Sequence, residues 1–210
     1  MPITATLFTA PGCPHCSGVK AVLQQLIQEG TVDNLDVIDI TQQPDLAEER
    51  GIRSVPLLEM GALTFTGEQS LKELRKWVVR ISDPEALVDY YEKLLTDGEL
   101  ATAESMLQKN PETLASLLTL IMRDELPLQV RIGVVALFEG VVGKVQLQKL
   151  IPDLSGQLTH ADYRIRVDIA HLLELTGSRE AIAPLNKLLQ DENSEVREIA
   201  AEAIETLEAI

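Results

Sequence analysis

The chain reads as two folds in series. A mixed α/β domain with a four-stranded sheet, in the order βαβαββα, is expected over residues 1–82, and an all-α repeat region over 85–210. Three observations predict this. Short β-like apolar runs alternate with helical patterns before Ser82-Asp83-Pro84-Glu85, almost no β signal follows that segment, and an arginine-centred helical pattern recurs three times beyond it.

In the first region, Ile3 to Phe8 is an apolar run of strand character, and Val19, Val22, Leu23, Leu26 and Ile27 then recur on one helical face, with Gly30 as a stop. Leu35 to Ile40 predicts a second strand. A short helix from Asp45 to Arg50 ends at Gly51, and Ser54 to Met60 opens a third strand. Gly61-Ala62 is a tight turn into Leu63 to Thr66, which gives an antiparallel hairpin. Ser70 and Glu73 form a capping box for a last helix that turns Leu71, Leu74, Val78 and Ile81 inward. Two parallel strands joined through a helix, followed by a hairpin, make a four-stranded mixed sheet with helices on its faces.

Between the first strand and its helix stands Cys13-Pro14-His15-Cys16, which holds both cysteines of the 210-residue chain. Cys13 falls at the helix mouth. Unpaired N–H groups and the positive end of the macrodipole favour thiolate over thiol there, which makes Cys13 the candidate nucleophile. Pro14 suits a first helical position, where its missing N–H would be unpaired anyway. Cys16 lies one turn on, within reach of a mixed disulfide formed at Cys13. His15 either adds positive charge beside the thiolate or is a solvated surface residue. As half of a zinc site the motif lacks a second cysteine pair, and His160 and His171 lie in the other region. Covalent haem attachment needs His directly after the second cysteine, where Ser17 stands. No metal and no cofactor are expected.

Composition narrows the partners. With 45% hydrophobic and 24% charged residues, the chain has the make-up of an ordinary globular protein. A net charge of -15 disfavours nucleic acid, whose recognition rests on Lys and Arg neutralising phosphate, and disfavours anionic membrane surfaces for the same reason. The opening Met-Pro-Ile-Thr-Ala lacks the basic start and apolar core of a signal peptide, so a cytoplasmic location is expected. In a reducing compartment a cysteine pair points to catalysis or sensing rather than a permanent staple.

Leu7-Phe8-Thr9-Ala10-Pro11-Gly12-Cys13-Pro14-His15-Cys16, with Ser54-Val55-Pro56 about forty residues on, resembles the thioredoxin superfamily, and within it glutaredoxin-like domains. The resemblance covers about residues 1–82. It implies a thioredoxin-like fold and thiol–disulfide exchange, with Cys13 attacking and Cys16 resolving. Pro14 and His15 then tune the active site, and Pro56 is the cis-proline that leaves the backbone of Val55 free for an extended substrate segment. The Pro14-His15 pair is similar to that of the bacterial periplasmic disulfide oxidase, a strong oxidant. Gly67-Glu68-Gln69-Ser70 stands where glutaredoxins carry a glutathione-binding turn. The implied partners are a protein disulfide or dithiol client and, as reductant, glutathione or a thioredoxin system.

In the second region Val130-Arg131, Ile165-Arg166 and Val196-Arg197 each open a helical run, spaced 35 and then 31 residues apart. The third, fourth, sixth and seventh residues after each arginine are apolar. This self-similarity predicts a stacked helical-hairpin solenoid. Asp162 and Asn193, four residues before their arginines, are turn or cap residues, and Pro127 breaks the pattern in the earliest copy. These features resemble HEAT-like repeats, especially from Leu158 to Leu207, and the resemblance implies that the arginines brace neighbouring helices. Residues 84–210 hold 22 acids against 11 bases, so most of the acidic field lies here. Two functions are consistent with this arrangement. One is an oxidoreductase whose repeat region holds a protein client, and the other is an adaptor in which the cysteine pair is a redox sensor.

Overall fold

The structure is a computed structural model that describes residues 2–210. Its first seven elements are β1 (Thr4–Thr9), α1 (Cys16–Gln28), β2 (Asn34–Asp39), α2 (Pro44–Glu49), β3 (Leu57–Met60), β4 (Leu63–Thr66) and α3 (Leu71–Val78). The sheet order is β2-β1-β3-β4, with β1 parallel to β2 and antiparallel to β3. The expected βαβαββα order is therefore present, with β1 and β2 each displaced by one residue and β4 at its expected bounds. The largest shift is at β3, which starts at Leu57 rather than Ser54. Pro56 has no N–H to give a ladder, and the Val55–Pro56 peptide is cis.

Burial explains the strand and helix faces. Ala5 and Leu7 on one face of β1, Phe8 on the other, and Val19, Leu23 and Leu26 of α1 are wholly shielded from solvent, so β1 is buried from both sides and α1 along one stripe. α1 and α3 pack on each other, and Arg75 spans them at the surface to reach Glu29 at 2.7 Å. Ser70 caps α3 by accepting the Glu73 N–H at 3.1 Å. The reciprocal half of the expected capping box is absent, because the Glu73 carboxylate instead accepts the indole N–H of Trp77.

Among the described residues, nine α-helices follow α3. After α3 come α4 (Pro84–Thr96), α5 (Leu100–Lys109), α6 (Leu114–Ile121), α7 (Leu128–Glu139), α8 (Val145–Gln148), α9 (Ile151–Ser155), α10 (Tyr163–Leu175), α11 (Ile182–Leu188) and α12 (Ser194–Glu208). They fall into two compact units, one running to Leu94 and including Ala101–Asn110, the other made of Leu95–Leu100 and Pro111–Ile210. The sheet-containing unit thus continues past the composition shift near Ser82, and the reason is packing. Tyr90 of α4 lies edge-on to Trp77 (4.7 Å between ring centres), stacks near Phe65 (5.0 Å), and donates its hydroxyl to the Thr64 carbonyl at 2.8 Å. Both Tyr90 and Tyr91 are buried. Lys109 of α5 closes on Glu59 of β3, which also takes Arg50.

In the second unit the repeat arginines join neighbouring segments. Arg131 of α7 pairs with Asp168 of α10, and Arg166 of α10 makes a two-pronged bond to Asp191, both contacts 2.8 Å. Arg166 also donates to the carbonyls of His160 and Ala161, and Arg197 repeats the gesture on Asp191 and Glu192. Asp162 and Asn193 cap α10 and α12 through the N–H groups of Arg164 and Glu195. Arg164 holds the Asp162 carboxyl down at about 2, and Arg166 lowers that of Asp191. Burial pushes Asp168 the other way despite the neighbouring Arg131.

Two outcomes follow from these contacts. Tyr90→Phe should cost about 1–2 kcal/mol in chemical denaturation, because the buried Thr64 carbonyl loses its donor. Asp191→Asn should cost about 3 kcal/mol, since it strands a buried guanidinium. The Asp191 carboxyl, which Arg166 holds below its ordinary value, stabilises the fold above its unfolded pKa, about 3.9, and that contribution disappears as pH falls through the folded value. Acid denaturation curves of Asp191→Asn should therefore be flatter than those of the parent below about pH 4.

Candidate active site

Gly12 has φ of 78°, a left-handed conformation that glycine adopts freely, and the turn it makes carries the chain from β1 to Cys13. The Cys13 N–H donates to the Ala10 carbonyl within that turn. The helix itself begins at Cys16 with His15 as its N-cap residue, so Pro14 occupies the turn ahead of the helix rather than its first position. Cys13 and Cys16 are joined in a disulfide, with Cα atoms 5.6 Å apart.

The two sulfurs are not equivalent. Cys13 is half-buried, whereas Cys16 is buried at 6% exposure among the residues of α1 that face the sheet. The Cys16 N–H points at the Cys13 sulfur at 3.2 Å. That sulfur takes the place of a capping side chain, accepting one of the N–H groups that the first helical turn leaves unpaired. An ionised sulfur at this position would receive both that hydrogen bond and the positive end of the helix dipole. The geometry therefore singles out Cys13 as the sulfur that is reachable and that is stabilised as an anion.

Strand register assembles the rest. Phe8 pairs with Leu57, so the loop after β1 and the segment before β3 leave the sheet at the same end. Leu57 in turn pairs with Thr66, which brings the turn after β4 to that end as well, and the Gly67 N–H donates to the Pro56 carbonyl at 2.9 Å. Cys13-Pro14-His15-Cys16, Val55-Pro56 and Gly67-Glu68 thus converge from segments up to 55 residues apart in sequence. The main chain of Val55 makes no hydrogen bond to another described residue.

In the sequence, Glu68 stands only as part of Gly67-Glu68-Gln69-Ser70, in place of a glutathione-binding turn. Its carboxylate lies 3.4 Å from His15 Nδ1, both side chains being exposed. The signal that would have placed it is the β3–β4 register: a two-residue hairpin turn at Gly61-Ala62 sets Thr66 opposite Leu57, and Glu68 follows directly. His15 is therefore a surface residue with an acidic neighbour, and water screens the pair.

Comparison with known proteins covers both units. The thioredoxin domain family matches residues 4–79, and the HEAT repeat family matches residues 151–208. The thioredoxin of Methanocaldococcus jannaschii is 33% identical over 70 residues, which are 32% of this chain and 82% of that protein. Residues 4–79 contain the disulfide, the cis-proline and the whole sheet, and by its likeness to that thioredoxin this chain belongs to the thioredoxin family.

Proposed function

We propose that the chain is a thiol–disulfide oxidoreductase that passes two electrons between Cys13-Cys16 and a protein client, with the helical unit holding the client. The observation that carries the reading is the asymmetry of the pair: an accessible Cys13 sulfur that accepts the Cys16 N–H, above a buried Cys16. Family membership supports a redox role for such a pair. In the reducing direction the Cys13 thiolate attacks a client disulfide and forms a mixed disulfide, while the first client sulfur leaves and takes a proton from solvent. The Cys16 sulfur gives up its proton and attacks Cys13 Sγ. The second client sulfur leaves, the client is reduced by two electrons, and the Cys13–Cys16 disulfide remains. Two glutathione molecules, or the dithiol of a thioredoxin-system protein, are oxidised to a disulfide and return the pair to its reduced state by exchange.

The neighbouring groups have separate parts in this reading. The free main chain of Val55 beside Pro56 pairs with an extended client segment, which holds the client sulfur over Cys13. Positive charge at His15 would favour the thiolate. The couple is accordingly more oxidising than that of thioredoxin, at about -270 mV.

Trapping tests the mechanism. Cys16→Ser should accumulate mixed disulfides through Cys13 with client proteins, and Cys13→Ser should form none. If Cys13→Ser still turns over a small disulfide, or if Cys16 alkylates first in the reduced chain, the nucleophile assignment is wrong. His15→Ala should lower the equilibrium potential measured against glutathione. An unchanged potential would remove His15 from the tuning of the site.

A further inference from the structure

The register that aligns the repeat arginines also aligns the surface around them. Three residues before Arg131, Arg166 and Arg197 stand Leu128, Tyr163 and Ser194, and one residue after them stand Ile132, Val167 and Glu198. Members of each pair are four apart and so share a helix face. α7 and α10 lie side by side, linked by Arg131–Asp168 and by Glu139–His171 at 3.8 Å, and Arg166 ties α10 to the residue Asp191 just ahead of α12. On the first two helices this face is apolar. Leu128 is 72% exposed, Ile132 60% and Tyr163 39%, with Val167 half-buried.

Single exposed apolar side chains need no explanation, but apolar residues at four matched positions on two adjoining helices do. α7 carries no charged side chain between Arg131 and Glu139, so it is apolar outside as well as inside. The border is acidic. Glu125 precedes α7, Glu139 closes it, and Glu198 and Glu202 stand on α12, all exposed. Two exposed cations stand here, Arg164, which is committed to Asp162, and Arg197, which donates to the carbonyls of Asp191 and Glu192.

We infer that this face binds an amphipathic helix of a protein partner, with apolar side chains on the contact side and Lys or Arg along its edges. Apolar burial would supply the affinity, and the carboxylate border would select and orient the cationic flanks. A second copy of the chain is the poorer occupant, because it would set one acidic border against another. The inference rests on the reading that the helical unit docks a protein client, and it gives that client a chemistry.

The test uses the full chain and a fluorescent helical peptide with leucine on one face and lysine on its flanks, read by anisotropy. A peptide of the same composition in scrambled order, and one with glutamate for lysine, are titrated alongside. The amphipathic lysine peptide should bind about tenfold more tightly than either, and Leu128→Ser with Ile132→Ser should bring it down to the scrambled level. Both substituted positions are exposed, so the fold should be retained, and circular dichroism checks this. Amide protons in the first halves of α7 and α10 should gain protection on binding. Equal binding of the scrambled peptide, unchanged affinity in the double variant, or a self-association that the same variant abolishes would each overturn the inference. Turnover of a small disulfide by the same samples separates the two readings. Lost turnover with intact peptide binding sinks the enzyme and leaves the face, and the reverse result sinks the face alone.

Discussion

The antiparallel pairing of β3 with β1 is the constraint on which the first unit depends. It sets Phe8 against Leu57 and so fixes which end of the sheet receives the cysteine turn, the cis-proline segment and the turn after β4. A slip of one residue would carry Leu58 and Met60 to the opposite face of the sheet and take Val55-Pro56 out of line with Cys13. The buried residues enforce the register from both sides, since Leu7, Phe8, Leu58 and Met60 are all almost fully shielded. Site geometry here is therefore a by-product of core packing.

Given that frame, the chemistry of the pair comes from where the helix begins. Cys16 is the first residue of α1 and belongs to its buried stripe, while Cys13 sits just outside the helix and receives an N–H from it. One cysteine is held by the core and the other is presented to solvent, although only two residues separate them. The same physics that caps helices with polar side chains here uses a sulfur. Its acceptor strength grows when it ionises, so the cap is strongest in the reactive state.

The helical unit solves a different problem. Consecutive helices must be held at fixed offsets without a sheet to index them, and the repeat arginines do this through Asp168 and Asp191. Because Arg166 is buried and Asp191 is largely shielded, their two-pronged bond is both directional and costly to break. Keeping the helices in register has a surface consequence as well. Equivalent outward positions line up, so a few substitutions in successive repeats are enough to make a face apolar on two helices and acidic on the third.

Periodicity and local chemistry are legible in the sequence: the strand–turn–helix setting of Cys13 and Cys16, the hairpin at Gly61 and the caps at Ser70, Asp162 and Asn193 follow from spacing within one turn or one hairpin, and the repeat arginines from a recurrence every 31 to 35 residues. What the tertiary structure decided involves partners distant in sequence. Tyr90 reads as one more residue of an amphipathic helix, yet it joins Phe65, Trp77 and the Thr64 carbonyl and draws α4 into the sheet-containing unit. Glu68 reads as a turn residue, and only the register of β3 and β4 sets it beside His15. Composition could place a boundary where β signal stops, but not where packing stops. Local pattern reports the periodicity of an element, whereas the identity of the surface that buries it depends on contacts across tens of residues.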